Sequence, residues 1–243
     1  MSAVTHRLLV VFARAPRREA RDKGLPLERG SEFFAAIATE WRRAARRVGA
    51  AIAISAPPED LHAWRHAFAG SPDVRWIEQR GASFGVRLED TSRQAASLAR
   101  HTVVTGGDVI PSGEVLEAAF GALASGAGAV LAPSHDGGIS LLSVPEDPDL
   151  LAPVTTRRRD VFRDLLRRLT ERGREVAIID RVADVDGARS LRAVPISGTL
   201  REVASLLRRA ADARFFVRIE SGRSPYVSPA IASPVLRGPP LPL

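Results

Sequence analysis

The sequence predicts an α/β protein with a mostly parallel sheet that is covered by helices on both faces. Short apolar runs alternate with amphipathic helical patterns along most of the chain. The 243 residues are 45% hydrophobic and 26% charged, which is enough apolar material for one ordinary core. Alternation of strand and helix is typical of parallel sheets, because their crossover connections are helices.

The first apolar run, Leu8–Ala13, is followed by Arg14 rather than by a small-residue cleavage site. We therefore predict a buried strand here and not a signal peptide. Six further runs have the same character and are predicted strands: Ala50–Ser55, Val74–Glu78, Thr102–Thr105, Ala129–Ala132, Ile139–Val144 and Glu175–Asp180.

The clearest predicted helix begins at Ser31, a favourable N-cap residue, and carries Phe34, Ile37 and Trp41 on one stripe. That stripe is expected to face the sheet. Five further helices are predicted at Pro58–Ala69, Phe84–Arg100, Ser112–Ser125, Arg159–Arg172 and Leu200–Ala211. Several of them are expected to close at glycines, namely Gly49, Gly70, Gly126 and Gly173.

The pattern changes near the C-terminus. Phe215–Glu220 is predicted as one more strand, after which repeated prolines exclude regular helix or central strand. We predict one domain over residues 1–220 and a Pro-rich tail over residues 221–243.

The formal charge is +7, yet Lys23 is the only lysine among 35 basic residues. A nucleic-acid partner is disfavoured, because aromatic residues make up only 5% of the chain and the arginines are spread over several helices. The absence of cysteine excludes thiol chemistry and fits a reducing compartment. No apolar stretch reaches the length of a membrane span, so we expect a cytoplasmic protein with no membrane partner.

Ligands of open parallel sheets bind beyond the carboxyl ends of the strands. Asp108 follows one predicted strand within Gly106-Gly107-Asp108, where it is a candidate ligand for a hard divalent cation. The structural alternative is a helix cap, although Ser112 is better placed for that role.

Two more acidic loops are candidates. His135 and Asp136 are adjacent on a glycine-opened loop and are candidate general bases, although the same loop is as consistent with a hairpin turn. Asp186 is either a helix N-cap or a metal ligand. If Asp108 and Asp186 converge, they can hold Mg²⁺ or Mn²⁺ and leave positions for the oxygens of a diphosphate.

Phosphates also need basic partners, and the segment after the first strand is rich in them: Arg14, Arg17, Arg18, Arg21 and Lys23. Arg14 is well placed to pair with a phosphate, while the alternative is a solvated loop. Neither a P-loop nor a G-x-G-x-x-G motif is present.

In their order along the chain these segments resemble the bacterial radical-SAM/selenodomain-associated transferases, which have the GT-A fold of nucleotide-diphospho-sugar transferases. The likeness runs from about Leu8 to Leu191. It is carried by short motifs: Phe12-Ala13-Arg14-Ala15-Pro16, Gln79-Arg80-Gly81, Phe84-Gly85-Val86-Arg87, Gly106-Gly107-Asp108, Asp136-Gly137-Gly138, Thr155-Thr156-x-Arg158 and Asp184-Val185-Asp186.

This resemblance implies a GT-A, Rossmann-like, three-layer α/β/α sandwich. It also implies that Asp108 and Asp186 bind the metal and that the loop at Asp136 lies near the transferred group or its acceptor. The implied residues that bind the nucleotide and donor are Ala13, Arg14, Ala15, Gln79, Arg80, Gly81, Arg87 and Gly107.

The sequence departs from the family pattern at several positions. The Lys-Thr-Arg element that usually follows Ala-Arg-Ala-Pro is missing, so its phosphate contacts cannot be transferred to this chain. His135 stands where the family has Glu, and Ile139 where it has Tyr. These changes are compatible with a specialised acceptor or with a lost activity.

The leading hypothesis is a metal-dependent glycosyltransferase that moves a sugar from a nucleotide-diphosphate donor to a small hydroxylated acceptor. The alternatives are a nucleotidyltransferase that joins an NTP to a phosphorylated small molecule and a catalytically degenerate relative. The former usually needs a Gly-rich loop after the first strand, and residues 13–23 contain no glycine. The oligomeric state is left open, and a homo-oligomer is compatible with the sequence.

Overall fold

The alternation of strands and helices is present in the computed structural model, which describes residues 5–144, 149–155, 160–194, 196, 198 and 200–221. Side chains are described for all of these except residues 5 and 213–221. The strands are β1 (Thr5–Phe12), β2 (Ala51–Ala56), β3 (Val74–Glu78), β4 (Ala99–Gly106), β5 (Ala129–Pro133), β6 (Ile139–Ser143) and β7 (Val176–Ile178). The helices are α1 (Pro16–Asp22), α2 (Leu27–Arg47), α3 (Pro58–Ala67), α4 (Phe84–Ala96), α5 (Gly113–Ala124), α6 (Val161–Glu171), α7 (Ala188–Ala193) and α8 (Leu200–Ser221).

The strands form one sheet in the order β3-β2-β1-β4-β6-β5-β7. The pairs β1–β2, β1–β4, β2–β3 and β5–β7 are parallel. Only β6 runs antiparallel to its neighbours β4 and β5 within the described sheet. The mostly parallel sheet is confirmed, and the segment between β5 and β6 is the hairpin turn that the sequence left open.

Hydrophobic residues pack on both faces of this sheet. Along β1, Leu9 and Val11 belong to one buried cluster, while Leu8 and Val10 belong to the other, as expected for alternating side chains. The first cluster includes side chains of α2, α5 and α8, and the second includes side chains of α4 and α6. The three-layer α/β/α sandwich is therefore confirmed.

The segment after β1 differs from the prediction. Residues 16–22 form helix α1 instead of a loop, with Pro16 at a position that suits its fixed φ and missing N–H. Helix α2 begins at Leu27 rather than at Ser31. Gly30 lies inside α2, where a Cβ would sit 2.6 Å from the Ala20 Cβ, so this glycine permits close packing of α1 and α2.

The C-terminal prediction is also wrong in part. Phe215–Glu220 is not a strand but lies within α8. No glycine or proline interrupts the chain from Leu200 to Ser221, so a helix that has started continues at low cost. Of the Pro-rich tail predicted over residues 221–243, Ser221 ends α8, and residues 222–243 lie outside the described residues. None of the helices in the described part of the chain has both the length and the apolar character of a membrane span.

Helix α4 ends at Ala96 rather than at Arg100, because Ala99 and Arg100 pair within the sheet as the start of β4. Other helix ends agree closely with the sequence. Ser112 accepts a hydrogen bond from the Val115 N–H and so caps α5 as predicted. The four glycines predicted to close helices all have positive φ. The sheet and its helices thus bring the carboxyl ends of β1, β4, β5 and β7 to one edge.

Candidate functional site

A cavity of about 480 Å³ lies at this edge of the sheet. Its volume is within the range of sites for small molecules. Charged side chains from separate segments of the chain line it: Arg14, Glu19, Lys23, Arg87, Asp108, Asp136, Asp184 and Asp186.

Three of these carboxylates form a compact cluster. One oxygen from each of Asp136, Asp184 and Asp186 lies within 4.8 Å of the others. The sequence predicted that Asp186 would meet Asp108 at a metal, and it assigned Asp136 to proton transfer. The structure brings Asp186 together with Asp136 and Asp184, and it places Asp108 in the same cavity.

Backbone pairing explains how Asp184 and Asp186 reach the cavity. Asp184 forms an isolated antiparallel bridge with Val109. The Val185 N–H donates to the Asp108 carbonyl at 3.0 Å, and the Ile110 N–H donates to the Ala183 carbonyl at 2.8 Å. Because Val185 is fully buried, its two acidic neighbours face the other side of this extended segment. The Asp-Val-Asp alternation is a sequence signal that identifies Asp184, which had not been assigned a role.

Two buried hydroxyl groups hold this segment against the sheet. The Thr105 hydroxyl donates to the Ser140 carbonyl at 3.0 Å, and the Ser140 hydroxyl donates to the Val182 carbonyl at 2.8 Å. Both side chains are almost completely buried. Ser140 therefore links β6 to the acidic segment, a role that no sequence pattern indicated.

The loop between β5 and β6 separates the two residues predicted to act as bases. Asp136 lines the cavity, where its carboxylate accepts hydrogen bonds from the Ser134 hydroxyl and from the Gly138 N–H. His135 is exposed and is not among the residues that line the cavity. The two residues are adjacent in sequence, but their side chains do not lie in the same site.

Lys23, predicted only as one of several basic residues after the first strand, pairs instead with the acidic residues of the cavity. Its ammonium donates to Asp108 at 2.6 Å and to Asp186 at 3.0 Å, and it lies 3.6 Å from Glu19. The Lys23 side chain is only 9% exposed, so it is not part of a solvated basic loop. The one available signal was that Lys23 is the single lysine in an arginine-rich chain.

The charges of this network shift several pKa values. Burial alone lowers the pKa of Lys23, but the attraction and hydrogen bond of Asp108, with help from Glu19 and Asp186, raise it above its usual range. Burial, followed by repulsion from Asp186, Asp108 and Asp136, raises the pKa of Asp184 to about 6. The acidic side of the cavity is thus short of positive charge.

The predicted nucleotide loop at Ala13–Ala15 is held by hydrogen bonds to its carbonyls. The amide of Gln79 donates to the carbonyls of Ala13 and Ser55, and the Trp64 indole donates to the Arg14 carbonyl. Gln79 and Ala15 are buried. Gln79 therefore supports the loop from beneath.

The arginines near this loop differ in their partners. The Arg14 guanidinium lines the cavity but is paired with Glu19 and Asp22. Arg87 also lines the cavity, and its Nε is buried with no hydrogen-bond acceptor among the described residues. Arg80 is exposed and lies 3.7 Å from Glu78. Of the three, Arg87 has a buried donor with no acceptor in the described part of the chain.

Of the two glycines predicted to bind the donor, Gly107 lines the cavity and Gly81 does not. A Cβ at Gly107 would lie 2.5 Å from the Ala13 Cβ, so this glycine lets the ends of β1 and β4 approach closely. Gly81 is exposed, with a φ of 129°. In the Thr155-Thr156-x-Arg158 motif, Thr155 lines the cavity, while Thr156 and Arg158 lie outside the described residues.

A family model described as "Uncharacterized protein conserved in bacteria (DUF2064)" matches residues 40–164. No curated protein matches the chain at a significant level.

Several solved structures share the fold. One is a protein from Desulfovibrio desulfuricans G20, provisionally described as a nucleotide-diphospho-sugar transferase, with a TM-score of 0.70 and 20% identity over 85% of this chain and 95% of that chain. A second is 4-diphosphocytidyl-2C-methyl-D-erythritol synthase from Anaerococcus prevotii DSM 20548, with a TM-score of 0.52 and 10% identity over 84% of this chain and 98% of that chain. A third is Rv0371c from Mycobacterium tuberculosis H37Rv, with a TM-score of 0.50 and 18% identity over 79% and 98% of the two chains. These likenesses establish a fold of the GT-A and nucleotidyltransferase type.

Proposed function

The chain belongs to the DUF2064 family of bacterial proteins, and we propose that it transfers a sugar from a nucleotide-diphosphate donor to a small hydroxylated acceptor with the help of a divalent cation. One observation carries this proposal. Three carboxylates converge within 4.8 Å in a cavity that also holds Lys23 and Arg87. The similar structure from Desulfovibrio desulfuricans, provisionally described as a nucleotide-diphospho-sugar transferase, supports the choice of donor.

The donor set fits a hard cation. Carboxylate oxygens are the ligands that Mg²⁺ and Mn²⁺ prefer, and Asp136, Asp184 and Asp186 offer three of them. We assign these three residues to the cation, and we assign Asp108 to the binding of Lys23. When bound, the cation would neutralise charge on the leaving diphosphate.

The protein's own cations are assigned to the donor. The buried Nε of Arg87 needs an acceptor, and a phosphate oxygen of the donor is one. Lys23 is held at the acidic cluster by Asp108, where its ammonium can turn toward a phosphate oxygen. These two side chains would stabilise the negative charge that develops when the bond between sugar and diphosphate breaks.

The residues that face the acceptor are fewer than predicted. Of the two proposed bases, Asp136 lines the cavity and His135 does not. We therefore keep Asp136 as the proton acceptor for the acceptor hydroxyl, through the carboxylate oxygen that does not bind the cation.

The nucleotidyltransferase alternative is less well supported. Such an enzyme has to cradle a triphosphate, and backbone N–H groups after β1 are the usual donors. Here residues 13–23 contain no glycine, and from Pro16 to Asp22 they form helix α1 rather than a loop. A cytoplasmic location stays a prediction, which rests on the absence of cysteine.

The two enzymatic functions release different products. Incubation with a nucleotide sugar, a hydroxylated acceptor and Mn²⁺ should release a nucleoside diphosphate, whereas a nucleotidyltransferase would release pyrophosphate from an NTP and a phosphorylated small molecule. A thermal-shift panel of nucleotide sugars and NTPs, with and without Mn²⁺, identifies the donor first, because a bound ligand raises the midpoint of unfolding. A panel with no shift for any nucleotide would favour a degenerate relative.

The cation assignment is tested with Asp186→Asn. Loss of one of three carboxylate ligands should weaken Mn²⁺ binding at least about tenfold, measured by calorimetric titration. The matched control is Asp212→Asn, which removes an acid on α8 that pairs with Arg192 outside the cavity lining. Equal Mn²⁺ affinity in the two variants would contradict the assignment.

A further inference from the structure

Five partly exposed apolar side chains share the cavity with the acidic cluster. They come from β1, α4, β6, α6 and the segment 149–155: Phe12, Phe84, Ile139, Val161 and Val154. The proposed chemistry at the acidic cluster uses none of them. A wall of this composition favours an apolar ligand, because burying apolar surface is favourable and burying unpaired hydroxyls is costly.

The hydroxyl side chains in the lining are largely engaged within the protein. Thr105 and Ser140 donate to backbone carbonyls, and Ser134 is bonded to Asp136. A polyol placed along this wall would therefore find few partners for its hydroxyl groups. The desolvation of those groups would oppose its binding.

Aromatic rings form part of the wall. Phe12 and Phe84 pack edge to face, with ring centroids 5.5 Å apart and planes at 80°. A third ring can join such a pair in the same geometry, which adds to the free energy of burial. The wall is thus suited to a ligand that carries a ring.

The segment that carries Val154 is held in place by helices on two sides. The Glu89 carboxylate on α4 accepts hydrogen bonds from the N–H groups of Leu151 and Ala152 at 3.1 and 2.9 Å. Gly85 admits the Leu151 carbonyl within 2.3 Å of the place where a Cβ would lie. Arg168 on α6 donates to the Leu150 carbonyl at 3.4 Å. The apolar wall is therefore built into the fold and does not need a ligand to form it.

We propose that this wall binds the acceptor, and that the acceptor is a small, ring-bearing, apolar alcohol or phenol. The cavity of about 480 Å³ must also admit the transferred sugar, which limits the acceptor to about one ring. Its role as acceptor rests on the proposed function, while its binding does not.

The transfer step balances as follows. The acceptor oxygen forms a bond to the anomeric carbon, and the bond from that carbon to the diphosphate oxygen breaks. The bonding electron pair leaves with the nucleoside diphosphate, and the hydroxyl proton passes to the Asp136 carboxylate.

Binding is tested without donor or metal, by ¹⁹F NMR. The probes are 4-fluorobenzyl alcohol and 2-deoxy-2-fluoroglucose, two single-ring compounds that differ in polarity. We expect the benzyl alcohol to bind the native chain and the sugar to bind much more weakly. Val154→Asn should weaken binding of the benzyl alcohol about tenfold, because it adds an unpaired polar group to the wall.

The matched control is Val86→Asn on α4, which makes the same change at an exposed position outside the cavity lining and should leave binding unchanged. Val154→Thr is nearly isosteric and provides a second variant if the asparagine variant does not fold. Equal affinity of the native chain and both Val154 variants, or tighter binding of the fluorinated sugar, would overturn the proposal.

Failure of the proposed function gives a different result. If the benzyl alcohol binds at Val154 but no donor yields a nucleoside diphosphate, the wall is a ligand site and the transfer reaction is wrong. If a nucleoside diphosphate is released with a polyol acceptor and not with the ring alcohol, transfer is correct and the acceptor class is wrong.

Discussion

Lys23 is the cation that holds three carboxylates of this site close together. Its ammonium lies against Asp108, Asp186 and Glu19, and these acids come from positions that are remote in sequence from one another. Without a cation among them the carboxylates would repel one another in a partly buried space. Lys23 thus holds the acidic side of the cavity together.

Replacement of Lys23 by Met should destabilise the fold by about 2 kcal/mol, within the range for loss of a charge-assisted hydrogen bond, since Arg14 still pairs with Glu19. The reason is that Glu19, which is buried, and Asp108 lose their shared cation. Urea unfolding at neutral pH measures the change. Arg29→Met is the control, because it removes an exposed cation that pairs with nearby Glu32 and should leave the free energy of unfolding almost unchanged. Similar losses in the free energy of unfolding of the two variants would show that Lys23 stabilises the fold no more than an exposed cation does.

Asp73 provides a pH-dependent contribution to stability away from the cavity. A hydrogen bond from Arg42, together with attraction from Arg42 and Arg46, lowers the pKa of Asp73 to about 2. A carboxyl group whose pKa is lowered on folding stabilises the native state above its unfolded pKa of about 4, and this stabilisation is lost as the pH falls toward 2.

Asp73→Asn should therefore lower the free energy of unfolding at pH 7 by about 1 kcal/mol or less, because the pair is partly exposed to solvent. The difference between the two proteins should shrink as the pH falls from 4 to 2. Urea unfolding at pH 7, 4 and 3 measures it. A difference that stays constant over this range would mean that the Asp73 carboxylate is not the source.

At the scale of elements, two irregular segments complete the cavity that the helices and strands outline. The segment 182–186 pairs with residues 108–110 and brings in Asp184 and Asp186. The segment 149–155 is bound to α4 through Glu89 and supplies part of the apolar wall. Both carry more backbone hydrogen bonds to neighbouring elements than a loose loop would.

Glu89→Ala should loosen the segment 149–155 and lower stability by about 1–3 kcal/mol, because part-buried N–H groups lose their acceptor. Hydrogen exchange should become faster at the Leu151 and Ala152 amides, and thermal unfolding reports the loss of stability. Glu89→Gln keeps one side-chain carbonyl oxygen as an acceptor, so its stability should lie between those of the native protein and the alanine variant. Unchanged protection of these amides in the alanine variant would show that other contacts hold the segment.

At the scale of the whole molecule, one sheet separates two buried clusters that share its strands. Neighbouring side chains of β1 belong to different clusters, so neither cluster can unfold while the other keeps an intact sheet. We expect cooperative unfolding of a single domain over residues 1–220.

Calorimetry tests the predicted domain boundary. A chain that ends at Ser221 should show a single transition, with a calorimetric enthalpy equal to the van't Hoff enthalpy. The full chain, with the predicted tail, should unfold at nearly the same temperature. Two transitions, or a large drop in the midpoint after truncation, would show that the boundary is wrong.

The sequence alone determined the fold class and most of the elements, because these follow from local patterns. Apolar runs such as Val74–Glu78 coincide with the strands, and caps such as Ser112 coincide with helix starts. The sequence-based prediction failed where a long-range contact overrode a local signal. A glycine usually ends a helix, but Gly30 packs closely against Ala20 and lies within α2.

Only the tertiary structure decided which charges meet. The sequence identified Asp108, Asp136 and Asp186 one by one, but the distances among them depend on strand order and on the pairing of residues 108–110 with 183–185. That arrangement joined Asp136 and Asp186 to Asp184, placed Lys23 beside Asp108, and left His135 outside the cavity lining. Electrostatic interactions fall with distance in space and not along the chain, so the local sequence could name these residues but could not assemble the site.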